Sequence, residues 1–592
     1  MNYEKAKSQE PTVFLVRKLW RFAHGMHKRI VLYVAMLVAA NLTVLAKPLI
    51  FGAIIAEVQA RGVSDDNFAH LCFLLSLLLV QTLVFWLLHG PARVIERVVA
   101  FWTEINYRRY LLGGVLGLGL TWHGEHDSGD TIDKVNKASE GLTEFGQNVY
   151  QIVEVVVKLL GTTAVLIWLS PWIGVTVFGF VLVSFFTIFQ FDKRLLPQYR
   201  QLNLFSNKAV ASVFDALSNV TTVKILHIEK PVLDGVIGRF TDPHKLYRQN
   251  SVLNEWKWAT GNMLFQAINV VPMIGFLAYA ISHQQTIDAG QISTLYLYLA
   301  DLVFVYFGFG GFYEQMALYK NRILNAYPIE KAFEDQSTGP RSVMSGFERM
   351  SISDLRFAYD TGQERLHLDG ISLSFKRGER VAVIGESGSG KSTFLKVLHG
   401  MYPNAEAKLQ VDDADGFDTS FADIDLKTML VPQEPEIFSS TIGENITLGI
   451  NYSDAAVELA AHISAFDKVV AELPRGYESV VNEKGVNLSG GQKQRLALAR
   501  AILFSTDKDI ILLDESTSSV DPENETEIYE RIFDTFHDKT VIASIHKMNL
   551  LRLFDRIVMF EEGKIADEGT FEELMARNPD FRASFEQFVS TH

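Results

Sequence analysis

Apolar residues crowd the first part of this chain. Up to about residue 320 they form long runs, and one of them, LCFLLSLLLVQTLVFWLL, is apolar on every face of a helix. A soluble helix keeps a polar stripe, so such runs belong in lipid. A bilayer span needs about 20 mostly apolar residues. Six stretches meet this: Ile30–Ile55, Leu71–His89, Val149–Leu169, Trp172–Gln190, Met263–Ile281 and Ile292–Phe312. The connections Gly90–Gln147 and Phe191–Asn262 keep helical periodicity, so the spans are predicted to run on as helices beyond the membrane. Gly129 and Asn219–Val223 interrupt that pattern and are predicted turning points. From Phe347 the pattern changes. Met350–Tyr359 and Ile371–Phe375 alternate as short antiparallel strands, while Arg380–Ile384 (RVAVI) and Asp509–Leu513 (DIILL) read as buried strands.

Lys and Arg are distributed asymmetrically between the loops. Lys18, Arg21, Lys28 and Arg29 precede the first span, Arg93, Arg97, Arg108, Arg109, Lys134 and Lys137 follow the second, and Lys193, Arg194 and Arg200 follow the fourth. The opposite loops are short and nearly free of them, which predicts both termini in the cytosol. The bacterial inner membrane is the expected location, with membrane lipids as partners. A net charge of −14 offers no basic face for nucleic acid. The single cysteine, Cys72, allows no intrachain disulfide and no cysteine-rich metal cluster. The start, MNYEKAKSQEPTVF, has no apolar core and no small-residue cleavage site, so it does not read as a secretory signal. His123, Glu125 and His126 read as a polar turn.

Some polar residues fall inside the spans. Lys47 and Asp301 lie in the outer halves of spans one and six, where charge is costly and often functional. They are candidates for a substrate cavity. Glu154 and Lys158 are four apart and are expected to pair on one helix face. Pro48 predicts a kink, and Gly308, Gly310 and Gly311 predict close helix packing.

The strand Arg380–Ile384 runs directly into Gly385-Glu386-Ser387-Gly388-Ser389-Gly390-Lys391-Ser392-Thr393, and a helical pattern follows. This is G-x-x-x-x-G-K-[ST] between a strand and a helix. Its glycines let backbone N–H groups approach phosphate, and the helix N-terminus adds positive potential. Lys391 is placed to reach the outer phosphates of a nucleotide, and Ser392 to ligate Mg²⁺. The second strand ends in Asp514-Glu515. There, Asp514 can hold Mg²⁺ and Glu515 can orient or deprotonate a water.

Between these two motifs lies Leu488-Ser489-Gly490-Gly491-Gln492, followed by KQRLALARAI. Here the chain resembles the ATP-binding cassette (ABC) transporters, whose ATPase signature has this form and order. Tyr359 matches the aromatic that stacks on adenine, Gln433 the glutamine loop, Ser518-Ser519-Val520-Asp521 the loop after the acidic pair, and His546 the switch histidine. The resemblance implies ATP and Mg²⁺ as cofactors. It implies two cassettes closing head to tail, with Ser489, Gly490, Gly491, Gln492 and Asp521 acting on the partner's ATP. It further implies that Glu515 acts on the hydrolytic water, that His546 contacts the γ-phosphate and that Gln433 senses Mg²⁺.

One phosphate loop and one signature per chain require a second half-transporter. With no half-site degenerate, a homodimer is favoured and a heterodimer remains open. The membrane part is similar to the exporter type of the family, and Gly129–Leu142 and Ala216–Glu229 resemble its coupling regions. The expected fold is an all-α six-helix transmembrane domain plus an α/β P-loop NTPase cassette. Its divisions are 1–29, an N-terminal segment with an elbow helix; 30–325, the membrane domain; 326–346, a linker; and 347–592, the cassette. The implied function is ATP-driven export or flipping of a cargo that the sequence does not name. An ATP-gated channel is the alternative, and intact Glu515 weighs against it. An importer is less favoured, since no docking domain for a binding protein is apparent. Three stretches depart from the family pattern: Pro403–Leu430, Asn482–Gly485, and Lys547, where an arginine is usual.

Overall fold

The computed structural model describes residues 7–284, 286–335, 347–359, 366–402, 405–412, 421, 427–482 and 488–591. Most of Asn482–Gly485 and much of Pro403–Leu430 lie outside these residues. The chain divides into two units, Met1–Leu118 with Trp122–Ser337, and Gly119–Thr121 with Thr338–His592.

The first unit is helical. Its main elements are α1 (Pro11–Phe22), α2 (His27–Val44), α3 (Lys47–Arg61), α4 (Asp65–Leu116), α5 (Ser128–Gly146), α6 (Val149–Leu169), α7 (Pro171–Ser218), α8 (Glu229–Thr241), α9 (His244–Ser282), α10 (Ala289–Asn325) and α11 (Tyr327–Asp335). Five stretches, spanning α2–α3, α4, α5–α6, α7 and α8–α9, are long and apolar enough to cross a membrane. The sixth expected span lies within α10, a helix of 37 residues. α4 and α7 run for 52 and 48 residues, well beyond the roughly 20 that a bilayer needs.

Three expectations about this unit need correction. The first apolar run is not one kinked helix. It breaks at Leu45–Ala46, and Pro48 sits in the first turn of α3, where its missing N–H costs nothing. α10 bridges the break: Tyr298 OH donates to Leu45 O at 2.6 Å and Thr294 Oγ1 to Pro48 O at 3.3 Å. Close packing falls elsewhere than expected. Among the described residues a Cβ on Gly308 or Gly311 would meet nothing within 4 Å, whereas one on Gly290 would lie 2.3 Å from Gly52 O, so α3 and α10 approach backbone to backbone there. What surrounds Gly310 lies outside the described residues. Finally, Gly129 is inside the first turn of α5, capped by Asp127; the chain turns just before it. His123 Nε2 and His126 Nδ1 each bond a backbone carbonyl, those of Val115 and Trp122.

Several charges buried in this unit are paired, while Lys320 donates instead to the backbone carbonyls of Lys7 and Gln9. Lys18 of α1 lies 2.8 Å from Glu330 of α11, which also accepts from Tyr107 OH of α4 at 2.8 Å. Lys257 of α9 meets Asp192 of α7 at 3.2 Å. Glu96 pairs with Arg93 and accepts the Tyr150 N–H at 2.8 Å. Lys158 and Glu154 pair at 2.6 Å, as their spacing predicts.

The second unit is α/β. Strands β1 (Arg349–Phe357), β2 (Leu368–Lys376) and β4 (Glu406–Val411) form an antiparallel sheet in the order β2-β1-β4. The stretch AKLQV thus supplies a strand. A six-stranded sheet has the order β5-β6-β7-β3-β8-β9, with β3 (Arg380–Gly385), β5 (Thr428–Val431), β6 (Ile510–Asp514), β7 (Thr540–Ser544), β8 (Arg556–Glu561) and β9 (Lys564–Gly569). All neighbours are parallel except β8 and β9. Every residue of β6 and β7 is buried, as strands covered on both faces require. Helices α12 (Lys391–Leu398), α13 (Gly490–Phe504) and α14 (Pro522–Thr535) belong to the same unit.

Candidate nucleotide site

A parallel sheet collects ligands at the carboxyl ends of its strands. Here β5, β6, β7 and β3 are neighbours in that order. Their ends therefore bring together Gln433, Asp514-Glu515, the Ser544–His546 turn and the Gly385–Lys391 loop. A cavity of about 940 Å³ opens there, lined among others by Ser387, Gly388, Lys391, Gln433, Glu515 and His546.

The loop after β3 requires its glycines. Gly385 has φ +150°, and a Cβ there would lie 2.2 Å from Phe560 O. Gly390 has φ +105° at the N-cap of α12. Lys391 curls back, donating to Gly385 O at 2.8 Å and Glu386 O at 2.9 Å. Burial pushes its ammonium below the usual lysine range, opposed by the carboxylates of Glu515 and Asp514. The loop is thus a cradle of backbone donors with a cation folded onto its own rim, fit to receive phosphate. Ser389 Oγ is buried there with no hydrogen-bond partner among the described residues.

Ser392 Oγ donates to Asp514 Oδ1 at 2.8 Å. Burial raises the Asp514 carboxyl above the ordinary range, and the Ser392 bond opposes that. A hydroxyl and a carboxylate side by side, with the Gln433 amide near, are the hard oxygen donors that suit Mg²⁺. Glu515 follows with φ +46°, a conformation uncommon for a non-glycine residue. Its two oxygens are both engaged. Gln433 Nε2 donates to Oε2 at 2.6 Å, and His546 Nε2 lies 2.5 Å from Oε1. A carboxylate only accepts, so that imidazole nitrogen carries the proton.

Tyr359 sits apart from the cavity lining. Its ring is 44% exposed and its OH pairs with Thr393 Oγ1 at 3.0 Å. Ser489, Gly490, Gly491, Gln492 and Asp521 do not line the cavity of their own chain. Ser489 caps α13, accepting the Gln492 N–H at 3.3 Å while its own N–H donates to Gln492 Oε1 at 2.9 Å. Gly491 presses on the following loop, where a Cβ would lie 2.6 Å from Ser519 O. Asp521 caps α14 and bonds Asn524.

One group, Gln494, escapes the sequence reading, and Lys547 enters it only as a departure from the family pattern. Gln494, buried on α13, accepts the Ser519 N–H at 2.8 Å and donates to Ser518 Oγ at 3.0 Å. Lys547 meets Glu525 at 2.7 Å. Gln494 lies only two residues past the signature glutamine, and that proximity is its sole signal.

In the membrane unit, Lys47 and Asp301 do not form an ion pair among the described contacts. Lys158 and Glu154 line a cavity of about 220 Å³ with Tyr150, Gln151, Val155, Val305 and Gly308.

Fold and site define a P-loop nucleotide-binding cassette fused to a helical membrane domain. Residues 30–307 match the ABC transporter transmembrane region and residues 368–518 match the ABC transporter cassette. The chain belongs to the ABC transporter family, and it is an integral membrane protein. It is 28% identical over 480 residues to the mouse ATP-binding cassette sub-family B member 6, covering 78% of this chain and 54% of that protein. It is 36% identical over 236 residues to an ATP-dependent lipid A-core flippase of Chromohalobacter salexigens, covering 40% of each. The chain thus spans about half the length of the curated relatives it matches. The structure of a bacterial Atm1-family ABC exporter with ATP bound superposes with a TM-score of 0.78 at 22% identity, covering 95% of this chain and 99% of that one.

Proposed function

We propose that the protein is an ATP-driven exporter or flippase that works as a dimer, with a homodimer favoured. The observation that carries this is the division of the site. The phosphate loop, Glu515, Gln433 and His546 converge on one cavity, with Asp514 bonded behind its wall to Ser392, while the signature residues and Asp521 of the same chain stay outside it. A second cassette supplies them head to tail, presenting the α13 N-terminus to the γ-phosphate.

In this reading Lys391 leaves its own carbonyls for the β/γ-phosphates, and Tyr359 stacks on adenine. Ser392, Asp514 and Gln433 hold Mg²⁺, which when bound neutralises charge on the phosphates. Glu515 accepts the proton of the attacking water, and His546 orients Glu515 and touches the γ-phosphate. ATP binding closes the pair of cassettes and hydrolysis resets it. The termini and cassette are cytosolic, in a bacterial inner membrane. The cargo carries a polar or charged group, met by Lys47 and Asp301 and by the Glu154 and Lys158 that line the membrane-unit cavity.

The test is ATP hydrolysis and cargo movement in proteoliposomes. Glu515→Gln is expected to abolish both. Movement at the full rate in that variant would sink the pump reading and leave a gated channel.

A further inference from the structure

We propose that Lys547 is a positioning residue. It ties the segment after His546 to the Ser518–Asp521 loop and so fixes the geometry in which that loop is offered to a second cassette. The inference rests on the composite-site reading.

The observation is a small network at the wall of the nucleotide cavity, which Lys547 and Glu525 both line. Lys547 Nζ donates to Val520 O at 3.0 Å and lies 2.7 Å from Glu525 Oε2. Glu525, in the first turn of α14, is only 3% exposed, and its other oxygen accepts from Thr517 Oγ1 at 2.7 Å. The Glu525 N–H bonds Asp521 O at 2.9 Å. One ammonium therefore holds the loop near its end and also neutralises the buried carboxylate that grips its start. Gln494 takes the same loop from the other side through Ser518 and Ser519. The loop also feeds back on the reacting end of the cavity, since the Ser518 N–H bonds Glu515 O at 3.1 Å. Lys547 is adjacent in sequence to His546, whose imidazole holds the Glu515 carboxylate. A movement of His546 toward phosphate thus pulls on Lys547 and, through it, on the loop facing the partner.

Removing the ammonium strands Glu525. A buried carboxylate that loses its cation must move, take up a proton or draw in water, and each of these releases the loop. An arginine keeps the charge and can still donate to both acceptors.

The experiment uses the full chain in lipid nanodiscs. ATP hydrolysis is measured against ATP concentration for wild type, Lys547→Met, Lys547→Arg, Glu525→Gln and the Lys547→Met/Glu525→Gln double variant. Lys547→Met is expected to lower kcat roughly tenfold with KM within about twofold, and to reduce cooperativity in ATP. Lys547→Arg is expected to recover most of the rate. Glu525→Gln should resemble Lys547→Met, and the double variant should be no worse than either, as for residues acting as one unit. If Lys547→Met fails to fold, Glu525→Gln and Lys547→Arg carry the same contrast. A raised KM at unchanged kcat would make Lys547 a nucleotide ligand and overturn the proposal, as would additive losses in the double variant. Failure of the composite-site reading has a different signature: Ser489→Ala would then hydrolyse ATP at the wild-type rate.

Discussion

The two units treat charge in opposite ways. In the membrane unit, three pairs of charges taken out of solvent are matched inside the protein: Lys18 with Glu330, Lys257 with Asp192, Arg93 with Glu96. In the cassette, the groups at the strand ends hold one another only provisionally. Lys391 rests on its own loop carbonyls, Ser392 on Asp514, and Glu515 on Gln433 and His546. Each of these bonds can be exchanged for one to phosphate, metal or water. The first kind of pairing keeps helices in place. The second keeps a site ready.

That contrast can be broken experimentally. Glu515→Gln is expected to lower steady-state ATP hydrolysis by about 10²–10⁴-fold, the range for a lost general base, with nucleotide binding retained. Retained hydrolysis would remove Glu515 from the working set. Lys18→Met acts on the other unit and leaves Glu330 buried without its cation. It should cost about 3–5 kcal/mol and lower the thermal midpoint in nanodiscs, with much of the loss recovered by Glu330→Leu in the same chain. If Lys18→Met is neutral, the membrane-unit pairs are not structural. Gly491→Ala places a Cβ against Ser519 O, and about 1–3 kcal/mol of strain is expected there. Its readout is a reduced kcat with little change in the unfolding of the membrane unit.

The smallest effect is in pH. Burial raises the Asp514 carboxyl, so its charge is lost on acidification above the ordinary value of about 3.9. The metal-free fold gains stability as that proton is taken up, because burial disfavours the charged form. Hydrolysis, which needs the carboxylate for Mg²⁺, falls over the same interval. Raising Mg²⁺ should move that acid limb to lower pH, and an acid limb that ignores Mg²⁺ would contradict the assignment of Asp514.

The same contrast explains what the sequence makes legible. Phosphate and metal demand a fixed local order of glycines, hydroxyl and carboxylates, so Gly385–Thr393, Asp514-Glu515 and Ser489–Gln492 can be read along the chain. Partners chosen by packing cannot be read this way. Lys18 and Glu330 are 312 residues apart. The break at Leu45–Ala46 falls in a continuous apolar run, because Tyr298 and Thr294 of a distant helix take its carbonyls. Gln494 and Lys547 act through a loop that only the fold brings to them.

Ser489 shows how far one atom can serve both purposes. Its oxygen accepts the Gln492 N–H and so starts the helix, but accepting uses only a lone pair. The cap makes no use of the hydroxyl proton. Folding uses one lone pair of the oxygen and leaves its O–H for whatever anion arrives. A residue that merely restores the cap can therefore rebuild the helix and still leave the anion without its proton.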